Sequence, residues 1–451
     1  MSVLPTPLPT PLWAWLARQL YSTLLRLGTP AYLWRVWSRG RQEPGYRRWW
    51  QQRLGWQSGP AWSRSGQAPV VWLHAVSLGE TRAATPLIQA LRASLPGMRL
   101  LLTHTTATGR DAGQPLMTPG DAQAWLPFDT PGAVRRFLAH YQPHVGVLME
   151  TEVWPNLMHG AHCLGIPMVL ANARLSDKSL RQGERFASLL KPAASALSLT
   201  LAQTEGDAAR LRQMGAHPVE VMGNVKFDMT PPAALLARGR AWRDALGRPV
   251  VLAASTREGE EALLLSAWRK LLDEMPASSA PRLMIVPRHP QRFDEVAAAI
   301  EAMGWRVSRR SAWGPAGCDA VPDAHALSAD VWLGDSMGEM PAYYACADIG
   351  LLGGSFAPLG GQNLIEAAAC GCPLVLGPST FNFAEAAEQG LAAGAAWRVA
   401  NFDEGCRRVW QALQGGALPA SREAALTFAA SHQGAAVRMA LAIKPFLRQV
   451  K

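Results

Sequence analysis

Seven short stretches pair residues that do chemistry with glycines that let a ligand approach the backbone. In Val70–Arg92, VVWLHAVSLGETRAATPLIQALR, an apolar run stops at Gly79 and a helical pattern follows, with Glu80 at its start. Helix starts usually hold an anion from elsewhere. Here the chain supplies its own carboxylate, and the helix dipole favours its ionised form at neutral pH. Glu150-Thr151-Glu152 closes another apolar run, as an acid pair fit for a metal or for sugar hydroxyls. Ser255-Thr256-Arg257-Glu258-Gly259-Glu260 offers backbone N–H groups, two hydroxyls and a guanidinium to a phosphate, though Ser/Thr before Glu also writes a capping box. Arg288 and His289 stand between Pro287 and Pro290, a rigid corner suited to a nucleotide. Gly334–Met340 (GDSMGEM), with Met337, Gly338 and Glu339, reads as a strand–turn–helix. In Gly353–Glu366, GGSFAPLGGQNLIE, paired glycines let a ligand come close, Asn363 sits where it caps a helix, and Glu366 lies within reach of a ribose diol. Lys226 stands in the seventh, GNVKFD. Any one of these is ordinary turn chemistry; four such turns in the C-terminal half make a ligand crevice the better explanation.

The elements between them alternate. VVWLHAV, MRLLLTHT, VGVLME, PMVLANA, LSLTLAQ and VEVMGNV read as buried parallel strands, with helical stretches such as TRAATPLIQALRASL and TPGAVRRFLAHY between. MTPPAALLARGRAWRDALGRP breaks the rhythm and reads as a connector. Strands resume at VVLAAS and continue through RLMIVPRHP, DVWLGDS, DIGLLGGS and CPLVLGP. Two successive βα arrays predict an α/β chain of two Rossmann-like doubly wound domains, with ligands at the carboxyl ends of strands. GxGxxG, GxxxxGK[ST] and Asp-x-Asp are all missing, so the usual dinucleotide and triphosphate cradles are excluded.

The chain has 451 residues and a net charge of +10, and all but six of its 44 basic side chains are arginine. That balance favours phosphate-bearing partners. The six cysteines form no CxxC pair or zinc spacing and read as reduced thiols. Residues 1–62 hold eight of the 18 tryptophans. There Leu12, Leu16, Leu20, Leu24 and Leu27 share one helical stripe, with Arg18, Ser22 and Arg26 on another, and Gly28 and Pro30 predict the helix end. The segment is neither a spanning helix nor a signal peptide. It fits the plane of an anionic membrane surface, or else packs its leucines on its own domain. No nucleic-acid motif accompanies the charge, so nucleic acid is not expected as a partner.

Taken in order, RLG (Arg53–Gly55), HAVSLGE, METEVWPNL, NARLSDKS, GNVKFD, STREGEE, VPRHPQR, GDSMGEM, GGSF and GQNLIEAA resemble the motif set of the 3-deoxy-D-manno-octulosonic acid (Kdo) transferases of lipopolysaccharide synthesis, along nearly the whole chain. One departure is Gln362, where the family often has His. The resemblance implies a GT-B glycosyltransferase: a membrane-associating segment 1–60, an acceptor domain 61–227, a linker 228–248, a CMP-Kdo domain 249–425, and a helix 426–451 that crosses back to the first domain. It implies transfer of Kdo from CMP-Kdo to the lipid A precursor with inversion, at the cytoplasmic face of the inner membrane, with no cofactor and no metal. Glu80 becomes the general base. Ser255, Thr256, Arg257, Arg288, His289, Asn363 and Glu366, with the turns at Met337–Glu339 and Gly354–Ser355, become the donor site. Lys226 faces the Kdo carboxylate or the phosphate, unless it is a plain surface lysine, and Glu152 and Arg174 contact acceptor or sugar. Two rivals stay open. One is a GT-B enzyme with a UDP-sugar donor, separated by preference for UDP over CMP. The other is a non-catalytic basic membrane-binding scaffold, for which loss of Glu80 changes nothing.

Overall fold

The computed structural model describes residues 12–63, 68–228, 230–275, 280–315 and 320–447; Cys318 lies outside them. The chain forms two compact units, one of residues 1–228 with 434–451 and one of residues 229–433.

The first unit carries seven parallel strands: β1 (Val70–His74), β2 (Arg99–His104), β3 (Ala122–Trp125), β4 (Val145–Met149), β5 (Met168–Ala173), β6 (Leu199–Ala202) and β7 (Val219–Val221), in the order β3-β2-β1-β4-β5-β6-β7. The second repeats the plan with β8 (Val250–Thr256), β9 (Arg282–Pro287), β10 (Val307–Arg309), β11 (Val331–Leu333), β12 (Ile349–Leu352), β13 (Leu374–Leu376) and β14 (Ala396–Arg398), in the order β10-β11-β9-β8-β12-β13-β14. Every pairing is parallel. Strands such as β1, β4 and β8 are apolar runs because helices cover both faces of the sheet. In each order the direction of winding reverses once, between β1 and β4 and between β8 and β12. Ligands of doubly wound sheets bind outside the carboxyl ends of strands at that reversal. The edge strands β3, β10 and β14 escape the apolar-run reading because they are short and only partly buried.

Two expectations are corrected. The helix predicted to stop at Gly28 and Pro30 runs Leu12–Arg39 through both. Proline removes one helical hydrogen bond. Packing beyond it sustains the helix: Val36 is buried in a cluster with Tyr46, Ala107 and Trp125. The expected linker contains a helix, Ala233–Leu246, that belongs to the second unit. Trp242 on it is fully buried and donates its indole N–H to the Ala320 carbonyl at 3.0 Å. A Cβ on Gly239 would collide with the Ala342 backbone, so glycine is what permits the close approach of this helix to Met340–Cys346.

The chain returns to the first unit at Gly434, and the helix Leu418–Ser431 stays with the second. The Asp228 carboxylate accepts the backbone N–H groups of Gly434, Ala435 and Ala436. It thereby caps the helix Ala435–Ile443, whose Met439, Ala440 and Ile443 join the core beside Ala83 and Leu87. The residue at which the chain leaves the unit thus anchors the helix on which it comes back.

Candidate active site

At the β1/β4 reversal of the first unit, Ser77 caps the helix Leu78–Ser94: its hydroxyl accepts the Glu80 N–H at 3.4 Å. The Glu80 carboxylate turns back over the same helix start. Its Oε2 accepts the Val76 N–H at 2.8 Å, a variant of the capping box, and Oε1 stands 3.5 Å from the Ser77 hydroxyl. Burial pushes the Glu80 pKa from 4.5 up to about 7; the Val76 hydrogen bond opposes the rise, and the nearby charges of Glu150 and Glu152 add to it. The expectation that the helix dipole keeps this group fully ionised at neutral pH is therefore corrected. Desolvation outweighs the dipole, and Glu80 sits near half protonation at pH 7.

Glu150 and Glu152 follow β4. Glu150 holds a left-handed backbone, φ +61°, and its Oε1 takes the Lys226 ammonium at 2.7 Å, with Arg174 Nε at 3.9 Å from Oε2. Glu152 Oε2 accepts the Trp154 indole N–H at 2.8 Å, and burial raises its pKa. Lys226 thus belongs to the first unit, paired there with an acid. Asn172, which sequence reasoning missed, sets that turn: its Oδ1 accepts the Val225 N–H at 3.1 Å from a left-handed backbone, φ 52°. Glu80, Glu150, Glu152, Arg174 and Lys226 therefore gather at the carboxyl end of one sheet.

At the β8/β12 reversal of the second unit the arrangement differs. Ser255 adopts φ +59°. Glu150, Asn172 and Ser255 are three of the five non-glycine residues with positive φ among the described residues, and all three lie at carboxyl strand ends, where such strain marks functional turns. Arg257 is half-buried, its Nε 3.2 Å from Glu258. Arg288 is exposed at the end of β9, with Nε 3.3 Å from Gln362 Oε1, and His289 follows half-buried. Burial raises the Glu366 pKa and the Arg288 charge lowers it, which puts those two groups together. Asn363 caps the helix Leu364–Ala369 by accepting the Ile365 N–H at 3.1 Å. Met337 is exposed beside Gly338, whose φ is +81°.

Three side chains expected at the donor are committed elsewhere. The Thr256 hydroxyl donates to Glu261 Oε1 at 2.7 Å, and Glu261 also takes both terminal nitrogens of Arg292 at 2.8 and 3.0 Å. The Ser355 hydroxyl, fully buried, donates to the Leu352 carbonyl and accepts the Gly377 N–H at 2.8 Å. The Glu339 carboxylate is buried and receives Arg238 at 3.2 Å, Arg310 at 3.0 Å and the Ser336 hydroxyl. Burial makes these donors necessary, and once met they leave the side chains nothing to offer a ligand; only the backbone of those turns remains for it. Gly354 N–H is itself taken, by Glu260 at 2.8 Å. Glu260 also accepts Arg257 N–H at 2.9 Å and Ala357 N–H at 3.1 Å, so one buried acid ties the β8 turn to the β12 turn. Sequence reasoning saw Glu260 only as part of a cap; its partners lie 94 and 97 residues away.

Two doubly wound sheets, each with all its strands parallel and its turns at the carboxyl strand ends, make up the GT-B type of fold. Solved structures share this fold: Anabaena HepE in complex with UDP aligns with TM-score 0.54 at 14% identity, over 84% of this chain and 99% of that one. The UDP-GlcNAc 2-epimerase from Neisseria meningitidis aligns with TM-score 0.53 at 15% identity, over 84% and 100%. Sequence comparison carries the assignment further. Residues 48–229 match the family described as 3-deoxy-D-manno-octulosonic-acid transferase (kdotransferase). The chain is 47% identical to the 3-deoxy-D-manno-octulosonic acid transferase of Bordetella pertussis, over 96% of this chain and all of that one. To the Haemophilus influenzae enzyme of the same name it is 34% identical, over 82% and 84%. The chain belongs to the Kdo transferase family.

Proposed function

We propose that this enzyme transfers Kdo from CMP-Kdo to the lipid A precursor in lipopolysaccharide synthesis, inverting the anomeric centre, with Glu80 as general base. The observation that carries the reading is the half-buried Glu80 carboxylate, held at the end of β1 by the Val76 N–H at 2.8 Å, where burial raises its pKa to about 7. A base whose pKa lies near the operating pH is the efficient one. The acceptor hydroxyl oxygen attacks the anomeric carbon, Glu80 takes its proton, and CMP leaves with the electrons of the broken C–O bond. The second unit supplies the anion site for that phosphate through Arg257, Arg288, His289 and the backbone of the Met337–Gly338 turn, with Glu366 toward the ribose. Glu152 and Arg174 meet acceptor or sugar. Lys226, on Glu150, faces the Kdo carboxylate. Glu80→Gln is the test: Kdo transfer from CMP-Kdo, read by mass, is lost while CMP still binds. Normal turnover in this variant would remove Glu80 from the base role.

The enzyme is placed on the anionic cytoplasmic face of the inner membrane by its N-terminal helix. That helix turns Ser22 inward, 3.0 Å from Asn156, and leaves Leu12, Leu20, Leu24 and Leu27 more than half exposed, the reverse of a helix that buries its apolar stripe. No described helix is long and apolar enough to cross a membrane, so the reading is one of lying on the surface. Replacing Leu20, Leu24 and Leu27 by Ser weakens binding to anionic liposomes; unchanged binding would return the stripe to another role.

A further inference from the structure

Within the first unit, a cavity of about 320 Å³ opens between the N-terminal helix and the loops after β2 and β3. Leu25, Tyr32, Leu126, Pro127, Phe128 and Trp154 wall it. Most of its polar neighbours are engaged, though Arg53 Nε is buried without a partner. The Asp129 carboxylate accepts the Tyr21 hydroxyl and the N–H groups of Asn156 and Leu157. The Arg53 guanidinium donates to the Thr105 carbonyl and lies 4.0 Å from the Trp125 ring centroid. A space with so few donors and acceptors to give suits neither a sugar nor a phosphate. At the small end of ligand pockets, roughly 300–1,000 Å³, it takes a single chain.

The cavity also reaches the acids. Trp154, in its wall, donates its indole N–H to Glu152. Thr105, also in the wall, donates its N–H to the Val76 carbonyl at 3.3 Å, and the Val76 N–H holds Glu80 Oε2 at 2.8 Å. By both routes the apolar wall is one residue from a carboxylate of the site. At its other side Leu25 and Gly28 stand next to Leu24 and Leu27 of the exposed stripe.

We propose that this cavity is an acyl-chain subsite: it takes one fatty-acyl chain of the acceptor while the acceptor hydroxyl lies at Glu80. The inference rests on the reading of an acylated acceptor given above. It makes the N-terminal helix a specificity element as well as a surface anchor, and the acceptor's chain rather than a bulk lipid its occupant.

Gly28 lines the cavity, and a Cβ there meets nothing within 4 Å. A side chain can therefore start at this position without a backbone collision, Gly28→Trp adds the largest one at the cavity wall, and replacing glycine favours the helix. The experiment measures kcat/KM of the full chain on a tetra-acylated glucosamine disaccharide and on its fully deacylated form. The variant is expected to lose about tenfold or more on the acylated acceptor, the scale at which an apolar pocket discriminates, and little on the deacylated one. Equal losses on both, or none on either, overturn the subsite; equal losses are also what a bulk-lipid occupant predicts. A photo-crosslinking saturated fatty acid gives a readout independent of turnover. Crosslinks at residues 25–32 and 126–130 in the wild type, absent from Gly28→Trp, support the cavity, and crosslinks confined to other surfaces overturn it. If the wild type uses neither acceptor, the acceptor reading fails and the crosslink map alone decides the subsite.

Discussion

The two units repeat one architecture and treat their carboxylates in opposite ways. At the β1/β4 reversal Glu80 is half-buried with one short backbone hydrogen bond and two acids nearby. At the β8/β12 reversal Glu260 is buried against three backbone N–H groups, and Glu261 and Glu339 are buried against arginines. The same residue type thus yields a carboxylate with a pKa raised to about 7 in one unit and fixed braces in the other. What separates them is the number of donors facing each carboxylate after burial has removed water. With Glu260, Glu261 and Glu339 braced internally, the second unit leaves Arg257, Arg288 and His289 around its turns, with Glu258 beside Arg257 and Glu366 near Arg288.

Four experiments sharpen or break this contrast. The largest effect falls on Glu80→Gln, which should lower Kdo transfer by roughly 10²–10⁴-fold, the usual contribution of a general base, with CMP affinity unchanged in a binding titration. Next is pH. The folded pKa of Glu80, about 7, lies above its ordinary 4.5. The base is therefore lost to protonation as pH falls, and kcat/KM should drop about tenfold per unit below pH 7 and level off above it. The sign for stability is opposite: a raised carboxylate pKa stabilises the fold fully below pH 4.5 and loses that contribution as pH rises through 7. Glu80→Gln should accordingly flatten the fall in melting temperature across that window. A pH–rate profile with its break near 4.5 would mean that burial does not control the group. Third, Glu260→Gln places an amide against backbone donors and should cost about 1–3 kcal/mol in denaturant unfolding. CMP affinity should weaken with it as the Gly354 turn loosens; full stability would remove Glu260 from the bracing role. The smallest effect is Glu150→Gln. Removing that charge lowers the Glu80 pKa, so the break in the pH–rate profile should move to lower pH by less than about one unit. A shift to higher pH would show that Glu150 acts on Glu80 chiefly by holding the Lys226 charge in place.

Much of the fold was legible because it rests on local pattern. Buried parallel strands are unbroken apolar runs, and VVWLHAV or VVLAAS can hardly be anything else once turns and helical spacing flank them. Asn363 as a cap followed from its place before LIEAA. The misread places are those where distant packing overrules a local signal. Pro30 is a helix stop by itself, yet Val36 and its neighbours carry the helix past it. The presumed linker showed helix-like spacing after its Pro pair, but that its helix belongs to the second unit follows only from packing such as that of buried Trp242.

The candidate site divides the same way. The sequence by itself determined that two α/β units follow one another and, through motifs in register, the family. These depend on residue types and short spacings, which a linear reading contains. Only the tertiary structure decided what each charged group does. Glu80 titrates near neutrality because the fold desolvates it and brings Glu150 and Glu152, some 70 residues later in the chain, close by. Lys226 stands with an acid 76 residues away, and the Thr256, Ser355 and Glu339 side chains turn inward to braces. Ionisation and hydrogen-bond satisfaction are set by the whole surroundings of an atom, and those surroundings are assembled only when the chain folds.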